Sequence, residues 1–221
     1  KRDGFLSIRN KQHIITDFPG CYSLYPRSKD EKIVYDVLTN TKHEEYPDVV
    51  LFVIDSSYLE RNLLFFSQIY DLNLPLILVL NMWDISNKRG IKIDLEQLKK
   101  AFQEVQIVTS NARIGLGKER IIEAIENINL KKRTGFFIEG NRVSALNSQK
   151  EQTTETNARF EKIKKIIADV ENIKESKTDL FSRKIDKIIV HPIWGYLIFL
   201  GVLLTIFQFI FSFANIPMEF I

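Results

Sequence analysis

Apolar and polar positions alternate along the first 130 residues in blocks that read as strands and helices in turn. Residues 5–9 and 13–16 flank Asn10 and Lys11, which predicts a hairpin whose second strand runs straight into Asp17. Ser28 followed by Glu31 is a capping box, and Ile33, Val34, Val37 and Leu38 recur behind it at helical spacing. Residues 49–54 are a continuous apolar run ending at Asp55, the pattern of a buried parallel strand. Residues 59–72 predict a helix, 76–80 the next buried strand, and Asp94 with Gln97 the cap of another helix. A further strand over 105–109 precedes a helix over 118–128. The fold class this predicts is α/β, a mostly parallel sheet with helices on both faces, and such sheets bind ligands at the carboxyl ends of their strands.

The pattern then changes. Phe160, Ile163, Ile166, Ile167, Val170 and Ile173 fall at helical spacing with Lys162, Lys164 and Lys165 between them, predicting an amphipathic helix with a solvated charged face. After His191 no charged residue occurs until Glu219, and residues 193–214 are almost all apolar. At about 1.5 Å per residue that run crosses a hydrocarbon core of about 30 Å, so it predicts a transmembrane helix. Its polar residues, Thr205, Gln208 and Ser212, include no imidazole, carboxylate or thiolate that could ligate a metal ion. His191, before a proline at the edge of the run, reads as a capping residue.

Composition narrows the function classes. With 221 residues, 45% hydrophobic and 27% charged, the chain is not of disordered type. One cysteine, Cys21, excludes a disulfide framework within the chain, and His13, His43 and His191 are too scattered for a metal cluster. Residues 1–130 carry 17 basic and 18 acidic side chains, whereas 131–190 carry 14 and 9, so the basic excess sits next to the apolar run. Lys174, Lys177, Arg183, Lys184 and Lys187 are placed to meet anionic lipid and, by the positive-inside rule, put the N-terminal side in the cytoplasm. No aromatic-interleaved basic platform is present, which argues against nucleic acid.

Three motifs end successive strands. Asp17-Phe18-Pro19-Gly20 is a DxxG pattern in which a carboxylate can hold magnesium through water and a glycine N–H can approach a terminal phosphate. Asn81-Met82-Trp83-Asp84 offers a carboxylate able to accept two N–H bonds from guanine, a pattern adenine cannot supply. Ser110-Asn111-Ala112 offers a backbone N–H to a base oxygen. Each alone also reads as a plain turn, and their order at three consecutive strand ends gives the set its weight.

These residues resemble the G domain of the small GTPases, a P-loop GTPase-like fold. Asp17 to Leu24, Pro47-Asp48-Val49-Val50, Leu59-Glu60-Arg61-Asn62-Leu63, the 81–84 motif and Gly90-Ile91-Lys92-Ile93-Asp94 narrow the resemblance to FeoB, the bacterial ferrous iron transport family. Asn157-Ala158-Arg159-Phe160, which would open a basic helix, Asp186-Lys187-Ile188 and His191-Pro192-Ile193-Trp194-Gly195-Tyr196 extend it towards the membrane.

The resemblance implies a partial G domain over 1–130, a small helical spacer domain over 131–190 and a first transmembrane helix over 191–221. It implies GTP or GDP with Mg2+ as ligands, Fe2+ as the ion carried by a multi-pass inner-membrane parent, residues 1–190 in the cytoplasm, and self-association through the membrane region. Asp17, Phe18, Pro19 and Gly20 would contact magnesium and the γ-phosphate. Asn81, Met82, Trp83 and Asp84 would read guanine, and Ser110, Asn111 and Ala112 would form the base-side loop.

The chain departs from the family in having Phe18 for Leu, Cys21 for Thr, and no G-x-x-x-x-G-K-[ST] string. It is therefore expected to be an internal piece that does not hydrolyse GTP alone, and no catalytic residue is assigned. A membrane-tethered regulatory GTPase or pseudo-GTPase module stands as the alternative.

Overall fold

The computed structural model describes residues 2–138, 148–173 and 188–218. The chain divides into two compact units, Lys1–Lys174 and Glu175–Ile221.

The first unit opens with β1 (Arg2–Ile8) and β2 (Lys11–Asp17), an antiparallel hairpin that forms a two-stranded sheet of its own. Its turn sits one residue earlier than the sequence pattern suggests. Arg9 (φ 46°) and Asn10 (φ 66°) both take the left-handed conformation that a two-residue hairpin loop of type I′ requires. After α1 (Lys29–Thr39), capped by Ser28 and Glu31 as expected, comes the central sheet. It comprises β3 (Val50–Asp55), β4 (Leu76–Asn81) and β6 (Gln106–Thr109), parallel and in the order β3-β4-β6.

Strand β4 is buried on both faces, and its side chains divide by the two-residue period of a strand. Leu76, Leu78 and Leu80 join a core with Leu63 and Phe66 of α2 (Leu59–Tyr70), Leu98 of α4 (Leu95–Ala101) and Ile163 of α6 (Gln149–Val170). Ile77 and Val79 face the other way, against Val108 and against Ala124 of α5 (Lys118–Glu126). Helices thus cover both faces of the sheet, as the apolar runs predict. The remaining elements of this unit are α3 (Trp83–Lys88) and the short strands β5 (Ile91–Ile93) and β7 (Glu171–Ile173), which pair antiparallel.

The structure corrects three expectations about the basic segment. Helix α6 does not open at Asn157. Ser148 caps it, accepting from the Glu151 amide while the Glu151 carboxylate accepts from the Ser148 amide, so the helix starts earlier than its apolar stripe. Ile173 belongs to β7 and not to that stripe. The helix is also not simply apolar inside and charged outside. Glu155 and Arg159 are 1% and 0% exposed. The Arg159 guanidinium donates from Nε to Glu155, from Nη1 to Ser67 Oγ at 3.2 Å and from Nη2 to Asp71 Oδ2 at 2.5 Å. Asp71, just past α2, also accepts from the Phe137 amide. One guanidinium therefore joins α6 to the C-terminal end of α2, using its planar fork for two carboxylates and a hydroxyl.

In the second unit, α7 (Trp194–Met218) has an 18-residue stretch, Trp194–Phe211, of mean hydropathy 2.0, long and apolar enough by length and composition to cross a membrane. His191 Nδ1 accepts from the amides of Ile193 at 3.2 Å and Trp194 at 3.3 Å, the capping role its position suggests. The expectations for Lys174, Lys177, Arg183, Lys184 and Lys187 fall outside the described residues.

Replacing Arg159 with Ala strands two buried carboxylates, which is expected to cost about 3–5 kcal/mol. Urea unfolding of the chain followed by tryptophan fluorescence checks this, since Trp83 lies in the same unit; a loss below about 1 kcal/mol would show that the network carries little of the packing.

Candidate functional site

The parallel register decides which residues the strand ends bring together. Asp55 stands opposite Asn81, and Leu80 opposite Thr109, so the ends of β3, β4 and β6 finish level along one edge of the sheet.

Past β4 the ladder continues for one bond into the next loop, the Ser110 amide donating to Leu80 O at 2.8 Å. Asn81 then takes over. Its side-chain oxygen accepts from Ser110 Oγ at 3.2 Å and from the Ala112 amide at 3.0 Å. Met82 adopts φ 55°, a left-handed conformation uncommon for a non-glycine residue, and the Trp83 amide donates to Ser110 O at 3.2 Å. The two motifs after β4 and β6 are thus one joined structure. Asp84 lies in the first turn of α3, its carboxylate 3.7 Å from Lys88 Nζ and 40% exposed, open to a ligand.

Two further devices hold this end of the sheet. Asp55 Oδ1 accepts from the Ser57 amide at 2.8 Å and Ser57 Oγ at 2.6 Å, and buried Ser56 Oγ bonds Ser86 Oγ of α3 at 3.2 Å. Gly117, at φ 90°, lets the chain pass so close to β6 that a Cβ there would lie 2.5 Å from Thr109 O. Gly115-Leu116-Gly117 is a turn before α5.

The DxxG segment is positioned separately. Asp17 is exposed at the end of β2, and Phe18 packs against the main core. Pro19, Gly20, Cys21 and Tyr22 line a small cavity against Phe52, Val53 and Arg61. Gln68 of α2, wholly buried, anchors the next two residues: its side-chain oxygen accepts from the Leu24 amide at 2.8 Å and from Ser23 Oγ at 3.1 Å. Burial, then the carboxylates of Glu31 and Asp30, push the Cys21 thiol up, which disfavours the reactive thiolate. Among the described residues, no hydrogen bond or ion pair joins residues 17–20 to residues 81–84 or 110–112.

A strand-end constellation of this kind on a parallel sheet invites comparison with known proteins. The family model for ferrous iron transport protein B matches residues 1–125. The chain belongs to the FeoB family. Curated relatives include the Fe(2+) transporter FeoB of Campylobacter jejuni, 32% identical over 96% of this chain and 33% of that protein. That of Helicobacter pylori is 31% identical over 93% of this chain and 31% of that protein. The chain thus spans about a third of these FeoB proteins.

Among solved structures, the FeoB G-domain from Methanococcus jannaschii is 33% identical, with a TM-score of 0.53 over 57% of this chain and 78% of that one. The cytosolic domain of the T. maritima FeoB iron transporter in GMPPNP form is 21% identical, with a TM-score of 0.64 over 77% of this chain and 84% of that one, and supports the fold.

Sequence reasoning missed Gln68 and the Asp71, Glu155 and Arg159 network. Glu155 and Arg159 are four residues apart, the signature of a helical ion pair, but that spacing reads as surface until the partner helix is known.

Exchanging Asn81 for Ala leaves the exposed Ala112 amide to water in place of its acceptor, at a net cost of about 0.5–1.5 kcal/mol. Amide hydrogen exchange at Ala112 should quicken by up to about tenfold while exchange within β4 stays slow. Unchanged exchange at Ala112 would mean that Asn81 does not hold the loop.

Proposed function

We propose that this chain is the guanine-nucleotide-reading and membrane-entry portion of a bacterial ferrous iron transporter of the inner membrane. In this reading residues 1–190 lie in the cytoplasm and nucleotide state governs Fe2+ uptake by the whole protein. The observation that carries the reading is the Asn81 joint, which fixes Asp84 and the 110–112 loop relative to each other before any base arrives. Preorganised groups lose less on binding than groups that must be ordered.

Asp84 accepts two N–H bonds from guanine, the Met82 side chain, 42% exposed, covers the base together with Trp83, and a backbone N–H of the Ser110, Asn111 and Ala112 loop reaches the base oxygen. Asp17 holds Mg2+ through water, with Phe18 and Pro19 shaping the turn, and Gly20 offers its N–H to the γ-phosphate. The T. maritima FeoB cytosolic domain has been solved in GMPPNP and GDP forms, which supports GTP and GDP as the ligands.

Coupling to the membrane runs through two neighbouring residues of α2. Gln68 holds the segment after DxxG, and Ser67 accepts from Arg159 of α6. A shift of the loop that turns α2 therefore reaches α6, which precedes α7 in the chain. The lipid bilayer around α7 and self-association through it complete the set of partners.

In the full-length protein, Asp84→Asn should weaken GTP binding about a hundredfold, the loss of two charge-assisted hydrogen bonds of about 1.5 kcal/mol each, and improve binding of xanthosine triphosphate. Fe2+ uptake into proteoliposomes should then follow xanthosine triphosphate in place of GTP. An unchanged base preference would remove Asp84 from its role; a switched preference without a switched uptake would remove the coupling. Asp17→Ala should weaken Mg2+-dependent GTP binding far more than GDP binding, as read by fluorescent-nucleotide titration, and equal losses would contradict the switch role of Asp17.

A further inference from the structure

The amino ends of β4 and β6 lie at the end of the sheet away from the Asn81 joint. There a cavity of about 370 Å3 opens between Leu76, Gln106 and the segment after α5. Lys131, Lys132 and Arg133 line it together, with Glu104 as the acidic group on its wall.

Arg133 is 5% exposed and stacks over the Tyr70 ring, 4.0 Å from its centroid. Its Nε donates to Leu74 O at 3.0 Å and its Nη2 to Tyr70 O at 2.5 Å, which satisfies carbonyls at and beyond the C-terminal end of α2. That structural duty accounts for one edge of the guanidinium. Nη1 is buried and, among the described residues, has no partner. A buried, charged donor left unpaired is costly, and folded proteins satisfy such groups with water, an ion or a ligand.

Lys131 and Lys132 are exposed, and among the described residues neither has an acidic partner within ion-pair distance. Glu104 offsets one of the three cations, so the lining keeps two positive charges in excess. Asn127 and Asn129 add amide donors to the rim. A planar guanidinium donor beside two flexible ammonium groups is the donor set that takes a tetrahedral oxyanion.

We infer that this cavity is a second anion site, for a phosphate group, distinct from the nucleotide site and independent of the nucleotide reading. The phosphate has two available sources, free phosphate in the cytoplasm and the headgroup of a lipid with a terminal phosphate.

The test uses the full-length protein in detergent, saturated with the non-hydrolysable GTP analogue GMPPNP so that the nucleotide's own phosphate positions, the γ position included, are occupied. Titration with inorganic phosphate by calorimetry should show one saturable site per chain. Lys131→Gln should weaken it about tenfold and the double variant Lys131→Gln/Lys132→Gln about a hundredfold, one charge-assisted contact being lost at each step. Both lysines are exposed, so GDP affinity and the unfolding midpoint should stay at their parent values. A parallel titration with monomeric dihexanoyl phosphatidic acid identifies the source: tighter binding with the same lysine dependence assigns the lipid headgroup, and equal or weaker binding assigns free phosphate. The inference is overturned if no saturable binding is seen into the millimolar range, or if the double variant binds phosphate as the parent does.

Discussion

The joined 81–84 and 110–112 loops depend on β4 being buried on both faces. Five consecutive residues, Leu76 to Leu80, are at most 1% exposed, so the strand has no solvated face on which to slip. A shift of one residue would move Leu76, Leu78 and Leu80 from the α2 and α6 side to the α5 side and exchange them with Ile77 and Val79. The packing therefore fixes where the strand ends, to the residue. Asn81 is the first side chain beyond the apolar run, and its position is inherited from the core. Its amide oxygen then serves two donors of the neighbouring loop that the ladder no longer reaches. The left-handed Met82 turns the chain out of the sheet immediately afterwards, which places Trp83 and Asp84 on the same rim.

A second dependence lies at the far end of α2. Tyr70 and Asp71 accept from Arg133, Phe137 and Arg159, groups that arrive from segments 60 to 90 residues later in the chain. Two carboxylates and one guanidinium, all removed from water, make this an expensive arrangement to assemble, and its Coulombic gain does not by itself make it stabilising. Its effect is one of specificity. The shared guanidinium ties Asp71 to Glu155, which favours one seat of α6 on the domain. Stacking of Phe137 on Phe102, 5.3 Å between ring centres, adds apolar contact where the ionic groups would otherwise leave a seam.

Fold and site differ in how far they can be read from the residues. Apolar runs, capping boxes and Gly–Pro punctuation locate the strands of the sheet, α1, α2, α4 and α5, because those signals are local and the buried strands are continuous in sequence. The mutual support of the 81–84 and 110–112 motifs is legible as well, since a parallel sheet must bring consecutive strand ends to one side. Ser148 is harder to see because its capping box precedes three polar turns rather than an apolar stripe. Arg159 reads as part of a solvated face because a charged residue at helical spacing carries no mark of burial; only the approach of Asp71, 88 positions away, changes its meaning. Gln68 is legible neither by motif nor by period, as its value lies in an orphan amide, Leu24 N–H, on a distant loop.

Fold and site meet at Ser67 and Gln68. Adjacent residues on a helix point about 100° apart, so one turn of α2 addresses two different neighbours: the loop after DxxG through Gln68 and α6 through Ser67. Both residues are wholly buried, and Ser67 Oγ is further tied to Leu64 O at 2.7 Å. A side chain in that position cannot answer a change on one side by rotating into solvent. Displacement of Leu24 and Ser23 must either break hydrogen bonds to Gln68, leaving a buried amide oxygen unpaired at about 1–3 kcal/mol, or carry the helix with it. Carrying the helix disturbs the bond from Arg159 Nη1, whose guanidinium is already fixed at its other edge by Glu155 and Asp71. Because each alternative has a cost of that size, the loop and α6 are coupled by the expense of leaving buried polar groups unsatisfied, and the coupling needs no movement of the central sheet.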